Sequence, residues 1–236
     1  TFLDGGMRLL GIEPHTGNIL IERRLSGITG DSGDAKNTTS SIAVLPDVLS
    51  SDGSHIYLRD LIFDLEGTPQ DKGEPHLQAS AGFLDDSWVH RMYWRFGTKP
   101  FGPKRDSKLS YQLVNVSLTG RILSFEESLV YGFGRTFAPG NIGRMWSAGV
   151  KYHLFCAGKN EAAKADAMER LPRRGREVTG KPLIDYTWTK DISLQARAMV
   201  LARDTLFVAG PPADAHKSME SWEGKKGALL QGVNAA

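Results

Sequence analysis

Three stretches of the chain repeat one design: an apolar strand, a polar turn, then a second strand carrying an aromatic. They run from Leu49 through Asp52-Gly53 to Tyr57, from Leu123 through Glu126-Glu127 to Tyr131, and from Leu201 through Arg203-Asp204 to Phe207. The aromatics lie 74 and 76 residues apart. A hairpin that recurs at near-constant spacing marks an array, in which no unit can bury its apolar face alone and each must stack on its neighbours.

With strands in the unit, the expected architecture is all-β, with antiparallel sheets arranged as β-propeller blades. The interval exceeds the roughly 40 to 50 residues of a minimal blade, so each unit is expected to carry a long insertion. The expected organisation is a blade with an aromatic insertion over 41–108, a blade with a helical insertion over 109–192, and an opening blade over 193–236. That makes about three to four blades of an incomplete ring, since closure takes about four to eight. The remaining blades are therefore expected partners, and the chain reads as a piece of a longer polypeptide.

Within this frame, two apolar runs between Met7 and Leu25 flank Pro14-His15-Thr16-Gly17-Asn18. Gly17 can supply the positive φ of a tight turn, which predicts a hairpin. Residues 27–40 are Gly, Ser, Thr, Asp and Asn almost throughout and read as a surface loop. One short helix is expected from Lys159 to Leu171, rich in alanine, capped by Asn160 and stopped by Pro172. Gly132 and Gly134 read as strand glycines, because nothing around them has the α/β pattern of a dinucleotide fingerprint.

Charge and cysteine content exclude several function classes. Twenty-nine basic and 27 acidic side chains leave a formal charge of +2, too little to attract nucleic acid along the whole chain. Arg173, Arg174, Arg176 and Lys181 form a basic patch without interleaved aromatics, read as a solvated loop. No run approaches the roughly 18 to 20 apolar residues of a membrane span. The single cysteine, Cys156, rules out an internal disulfide and a cysteine-based zinc cage, and its apolar neighbours predict a buried thiol.

The densest chemistry lies between Phe83 and Arg95. Asp85, Asp86, Trp88, His90, Arg91, Tyr93, Trp94 and Arg95 bring two carboxylates, an imidazole, two guanidiniums and three aromatics into 13 residues. Carboxylate and imidazole can ligate a cation or move protons, and the aromatics can stack on a sugar-like ligand. Equally, the aromatics can pack the insertion onto a blade while Asp85 or Asp86 pairs with Arg91 or Arg95. His76 joins such a site only if the fold brings it close. His15, His55 and His216 have no metal-ligand spacing, so no metal centre and no complete catalytic set are assigned.

Two of these segments resemble a known family. Leu10-Gly-Ile-Glu-Pro-His-Thr-Gly-Asn-Ile-Leu20 resembles the L-D-x-x-T-G-x-x-L-W hairpin of the pyrroloquinoline-quinone-like (quinoprotein-like) β-propeller repeats of bacteria, with Ile21 in place of the usual Trp. Asp204-Thr-Leu-Phe-Val-Ala-Gly210 resembles that family's strand signature. Gly82 to Trp94 resembles an inserted segment of large propeller proteins from environmental bacteria.

The resemblance implies the propeller fold and a periplasmic or extracellular location. Its dehydrogenase members hold the quinone cofactor (PQQ) with calcium, and the alcohol-oxidising ones add two adjacent cysteines, which Cys156 alone cannot supply. PQQ and calcium are thus implied by resemblance only. The function expected is a non-catalytic scaffold that binds a protein or glycan ligand through its insertions. A quinone-dependent oxidoreductase and a carbohydrate-active enzyme using Asp85 or Asp86 with His90 stand as alternatives.

Overall fold

The computed structural model describes residues 7–25, 48–58, 61–70, 74–79, 94–97, 118–136, 152–162, 184–213 and 219–236. Strands dominate these segments, and every pairing between them is antiparallel. Each sheet is a meander, in which strands adjacent in sequence are adjacent in the sheet. The first is the hairpin of β1 (Met7–Ile12) and β2 (Ile19–Leu25). Gly17 stands in its turn at φ 74°, a conformation that costs glycine little and other residues more.

The second sheet comprises β3 (Leu49–Ser51), β4 (His55–Leu58), β5 (Leu61–Asp64) and β6 (Pro69–Gln70). The third holds β7 (His76–Ala79), β8 (Trp94–Gly97) and β9 (Leu118–Gly120). The fourth holds β10 (Ile122–Phe125), β11 (Leu129–Arg135), β12 (Tyr152–Gly158) and β13 (Tyr186–Lys190). The fifth comprises β14 (Ala198–Ala202), β15 (Thr205–Gly210) and β16 (Leu229–Asn234), with the four-residue helix α1 (Met219–Trp222) between its last two strands.

Two strands of the third sheet, β7 and β8, lie in the insertion that sequence patterning places within 41–108, and β9 lies in the unit that follows. The strands of this sheet are short, and His76, Gln78, Arg95 and Thr119 are all buried in it. That polar content masks the alternation by which a half-buried strand is recognised. Helical backbone begins at 160–162, where the alanine-rich helix was expected, and 163–171 lie outside the described residues.

The sheets pack face to face in sequence order. Leu9 and Leu25 of the first hairpin meet Leu58 and Phe63 of the second sheet. The second meets the third where the Tyr57 and His76 rings stack at 4.0 Å and 7°, and where Ser50 Oγ donates to the Leu77 carbonyl at 3.0 Å. Phe96 and Leu118 of the third pack on Val130, Phe155 and Ala157 of the fourth. Tyr131, Phe133, Leu154 and Cys156, on the opposite face of the fourth, pack on Leu206, Val208 and Val233 of the fifth. Burial of these apolar faces holds the stack together.

The repeated hairpins have one register. Tyr57 pairs with Ser50, Tyr131 with Ser124 and Phe207 with Val200, so each aromatic faces the residue seven places before it. Each also points away from the preceding sheet. Tyr57 and Tyr131 are buried by the sheet that follows, whereas Phe207, in the last sheet described, is 38% exposed.

The first two share a further contact. Tyr57 Oη donates to Asp52 Oδ2 at 2.6 Å, and Tyr131 Oη donates to Glu126 Oε2 at 3.1 Å, each five residues back across its own turn. The residue five before Phe207 is Ala202, so the third unit lacks both hydroxyl and acid.

Candidate functional site

A cleft of about 660 Å³ opens where the second, third and fourth sheets come together. One wall is the β3–β4 hairpin, with Ser50, Ser51, Asp52 and Tyr57. A second is the approach to β7, from Glu74 to Leu77. Phe96 of β8 and Phe125 of β10 form an apolar side, and Lys159 and Asn160, just after β12, complete the rim. Concavity, an apolar wall and a few convergent polar groups are the usual make-up of a small-ligand site.

Local geometry fixes each wall. Asp52 Oδ1 accepts the backbone N–H of Ser54 at 2.8 Å and of His55 at 2.7 Å, an Asx-type turn that closes the hairpin. Its other oxygen takes the Tyr57 hydroxyl and stands 3.6 Å from His55 Nδ1. Partial burial works to raise the Asp52 pKa, but the Tyr57 hydroxyl and the two backbone donors outweigh it, and the carboxyl is held at about 2. Tyr57 moves the other way, raised by burial and by the carboxylate beside it.

His76 is fixed from two sides. Its Nδ1 lies 2.9 Å from the Glu74 carbonyl, which can only accept, so Nδ1 carries the proton. Nε2 then accepts from the Gln78 amide at 3.3 Å, and the same amide nitrogen donates to the Gly97 carbonyl at 3.1 Å. Across the cleft the Lys159 ammonium stands 5.9 Å above the Phe125 ring.

The low pKa of Asp52 has a measurable consequence. The native state takes up this proton at lower pH than the unfolded chain does, where the ordinary value is 3.8. Its contribution to stability is therefore complete above about pH 4 and is lost as pH falls through about 2. With the side chain 42% exposed, solvent screening limits it to under about 1 kcal/mol. Urea titrations should show Asp52→Asn closest to wild type at pH 2 and weakest relative to it at pH 7. An unchanged difference between the two pH values would remove the carboxylate from this role.

Of the residues singled out by sequence, the structure describes Trp94, half-buried, and Arg95, buried, both in β8. Asp85, Asp86, Trp88, His90, Arg91 and Tyr93 lie outside the described residues. His76 does enter a cleft, with Tyr57 and Asp52 rather than with the 83–95 cluster. Sequence reasoning did not assemble this cleft, whose walls come from 50–57, 74–77, 96, 125 and 159–160. The one available signal was the Tyr57–Asp52 spacing, repeated at Tyr131–Glu126.

Among the described residues no group of three or more His, Cys, Asp or Glu side chains is placed to hold a metal ion, and no helix is long and apolar enough to cross a membrane. No protein-family model, curated protein or solved structure matches the chain.

Proposed function

We propose that the chain is a run of blades from a β-propeller of the quinoprotein-like repeat type, and that it is a non-catalytic binding module whose cleft takes a saccharide. Meander sheets stacked in sequence order, with aromatics in one register and one facing, support the blade reading. The observation that carries the ligand reading is the cleft itself. It brings Phe96 and Phe125 together with Glu74, Lys159 and Asn160 around one recess.

A pyranose presents those two characters together: C–H faces suited to an aromatic wall, and hydroxyls suited to carboxylate, ammonium and amide. A recess of this volume fits a small glycan better than a protein surface, which takes a broader and flatter contact.

Glycan-array binding tests the proposal. The expected result is a carbohydrate-dependent signal that falls about tenfold in Asn160→Ala, the loss of roughly one hydrogen bond. Phe125→Ala is expected to reduce it at least as much. An array with no signal above background for the folded wild type would overturn the saccharide reading, as would wild-type binding by both variants.

A further inference from the structure

His153 is a buried titratable side chain outside the cleft. It stands two places before Phe155 on β12, so the two share the face of the fourth sheet that packs on Phe96 and Leu118 of the third. Across the ladder it faces Gly134, where a side chain would meet the Thr119 carbonyl of β9. The imidazole therefore lies inside the junction of the two sheets.

Its surroundings suit a neutral ring and not a cation. It is 6% exposed, with the Phe155 ring at 5.5 Å and the Tyr186 ring edge-on at 5.3 Å. Nε2 is buried and has no hydrogen-bond partner among the described residues. An imidazolium donates from both nitrogens, so protonation leaves a charged N–H without an acceptor among apolar groups.

The elements packed against it bring little charge. From β11 come Gly132 and Gly134, and from the third sheet Phe96 and Leu118; His76 and Arg95 alternate onto that sheet's other face. Arg121 lies over the Tyr152 ring, on the opposite face of β12, and Glu161, past the far end of β12, accepts the Asp185 N–H. The Tyr186 phenol, raised to about 12 by burial, stays neutral. The charge that reaches His153 is the Asp191 carboxylate, which favours the imidazolium, but burial outweighs it and holds His153 below its ordinary 6.5.

We propose that His153 is an acid-sensitive latch, whose protonation opens the junction of the third and fourth sheets and loosens the apolar side of the cleft. That side is Phe96 and Phe125, whose rings meet at 5.2 Å in the same cluster. The inference concerns the form of the cleft and is independent of the ligand it takes. The opened junction takes up the proton near the ordinary 6.5, the closed one only at lower pH. The closed form is thus fully favoured above that value and loses up to about tenfold for each pH unit below it.

Thiol labelling, read peptide by peptide by mass spectrometry, tests the latch. Leu118→Cys places a probe in the junction, and Cys156, buried against the fifth sheet, serves as internal control. Each rate with a dipyridyl disulfide, which reacts in acid, is divided by that of the urea-unfolded chain at the same pH. From pH 7.5 to 5.5 the relative rate at position 118 is expected to rise about tenfold, while Cys156 stays slow. His153→Phe should abolish the rise. Ala157→Cys and His153→Gln repeat the test should either first variant lower the thermal midpoint at pH 7.5. Asp191→Asn, at an exposed site, removes the charge that favours the cation, so histidine NMR should show one imidazole titrating below the rest and moving further down. A rate at position 118 that ignores pH, an equal rise with His153→Phe, a matching rise at Cys156, or an Asp191→Asn spectrum in which no imidazole moves would each overturn the proposal.

Discussion

Replacing Phe155 by alanine is expected to lower the unfolding free energy by about 3–5 kcal/mol, the usual cost of emptying a buried phenylalanine site. Phe155 is 1% exposed and belongs to the cluster that joins the third and fourth sheets. Its ring lies 5.5 Å from His153 and 5.1 Å from Tyr186, and it also occupies the space over Gly132. The cavity would thus open inside a junction, where relaxation of one sheet is resisted by the other. For a chain of this length the change corresponds to a fall in Tm of roughly 6–20 °C. Phe207→Ala removes the same ring from an exposed position and should cost far less. Equal losses for the two variants in urea titrations would contradict the burial pattern.

A comparable loss is expected from a single added methyl at Gly210. A Cβ there would run into the Gln195 carbonyl, which is backbone and cannot swing aside. The segment that carries it is pinned alongside the end of β15: Gln195 N–H donates to the Pro211 carbonyl, Arg197 N–H to Ala209 and Ala213 N–H to Ser193, at 2.8, 2.8 and 2.9 Å. Gly210→Ala must therefore displace a hydrogen-bonded backbone segment, at a cost of about 3 kcal/mol, the upper part of the usual range for overpacking. Gly227 offers a contrast, with a φ of 79° but open space around its Cα. Alanine there should cost only about 1–2 kcal/mol, from the left-handed backbone alone. Denaturation midpoints for the pair would separate steric from conformational cost, and a mild Gly210→Ala would refute the close approach.

The parts legible in the sequence are those where local chemistry and tertiary packing agree. The β1–β2 hairpin announces itself by Gly17 between two apolar runs, and the three repeated hairpins by an aromatic placed after a polar turn. The near-equal spacing of their aromatics spans unlike described elements. Among the described residues, the first interval contains a whole additional sheet, β7–β9, and the second contains none. The additional sheet escaped notice because His76, Gln78 and Arg95 are buried polar side chains, which a hydrophobic pattern reads as surface.

The cleft was illegible for another reason. Asp52 is an ordinary turn residue, Glu74 and Lys159 are ordinary charges, and Phe125 is an ordinary strand aromatic. Only the stacking of three sheets brings them to one place. The 83–95 segment advertised its chemistry by density along the chain, whereas the cleft gathers its groups across more than 100 residues of sequence.

Because the sheets pack in serial order, Leu9 and Leu25 on Leu58 and Phe63 at one junction and Tyr131 against Leu206 and Val208 at another, a defect has few routes by which to spread. Cooperativity here resembles a row of coupled links rather than a single nucleus, with each link strengthened mainly by the ones beside it. Lineages of such molecules can lengthen, shorten or exchange a link while leaving distant ones undisturbed.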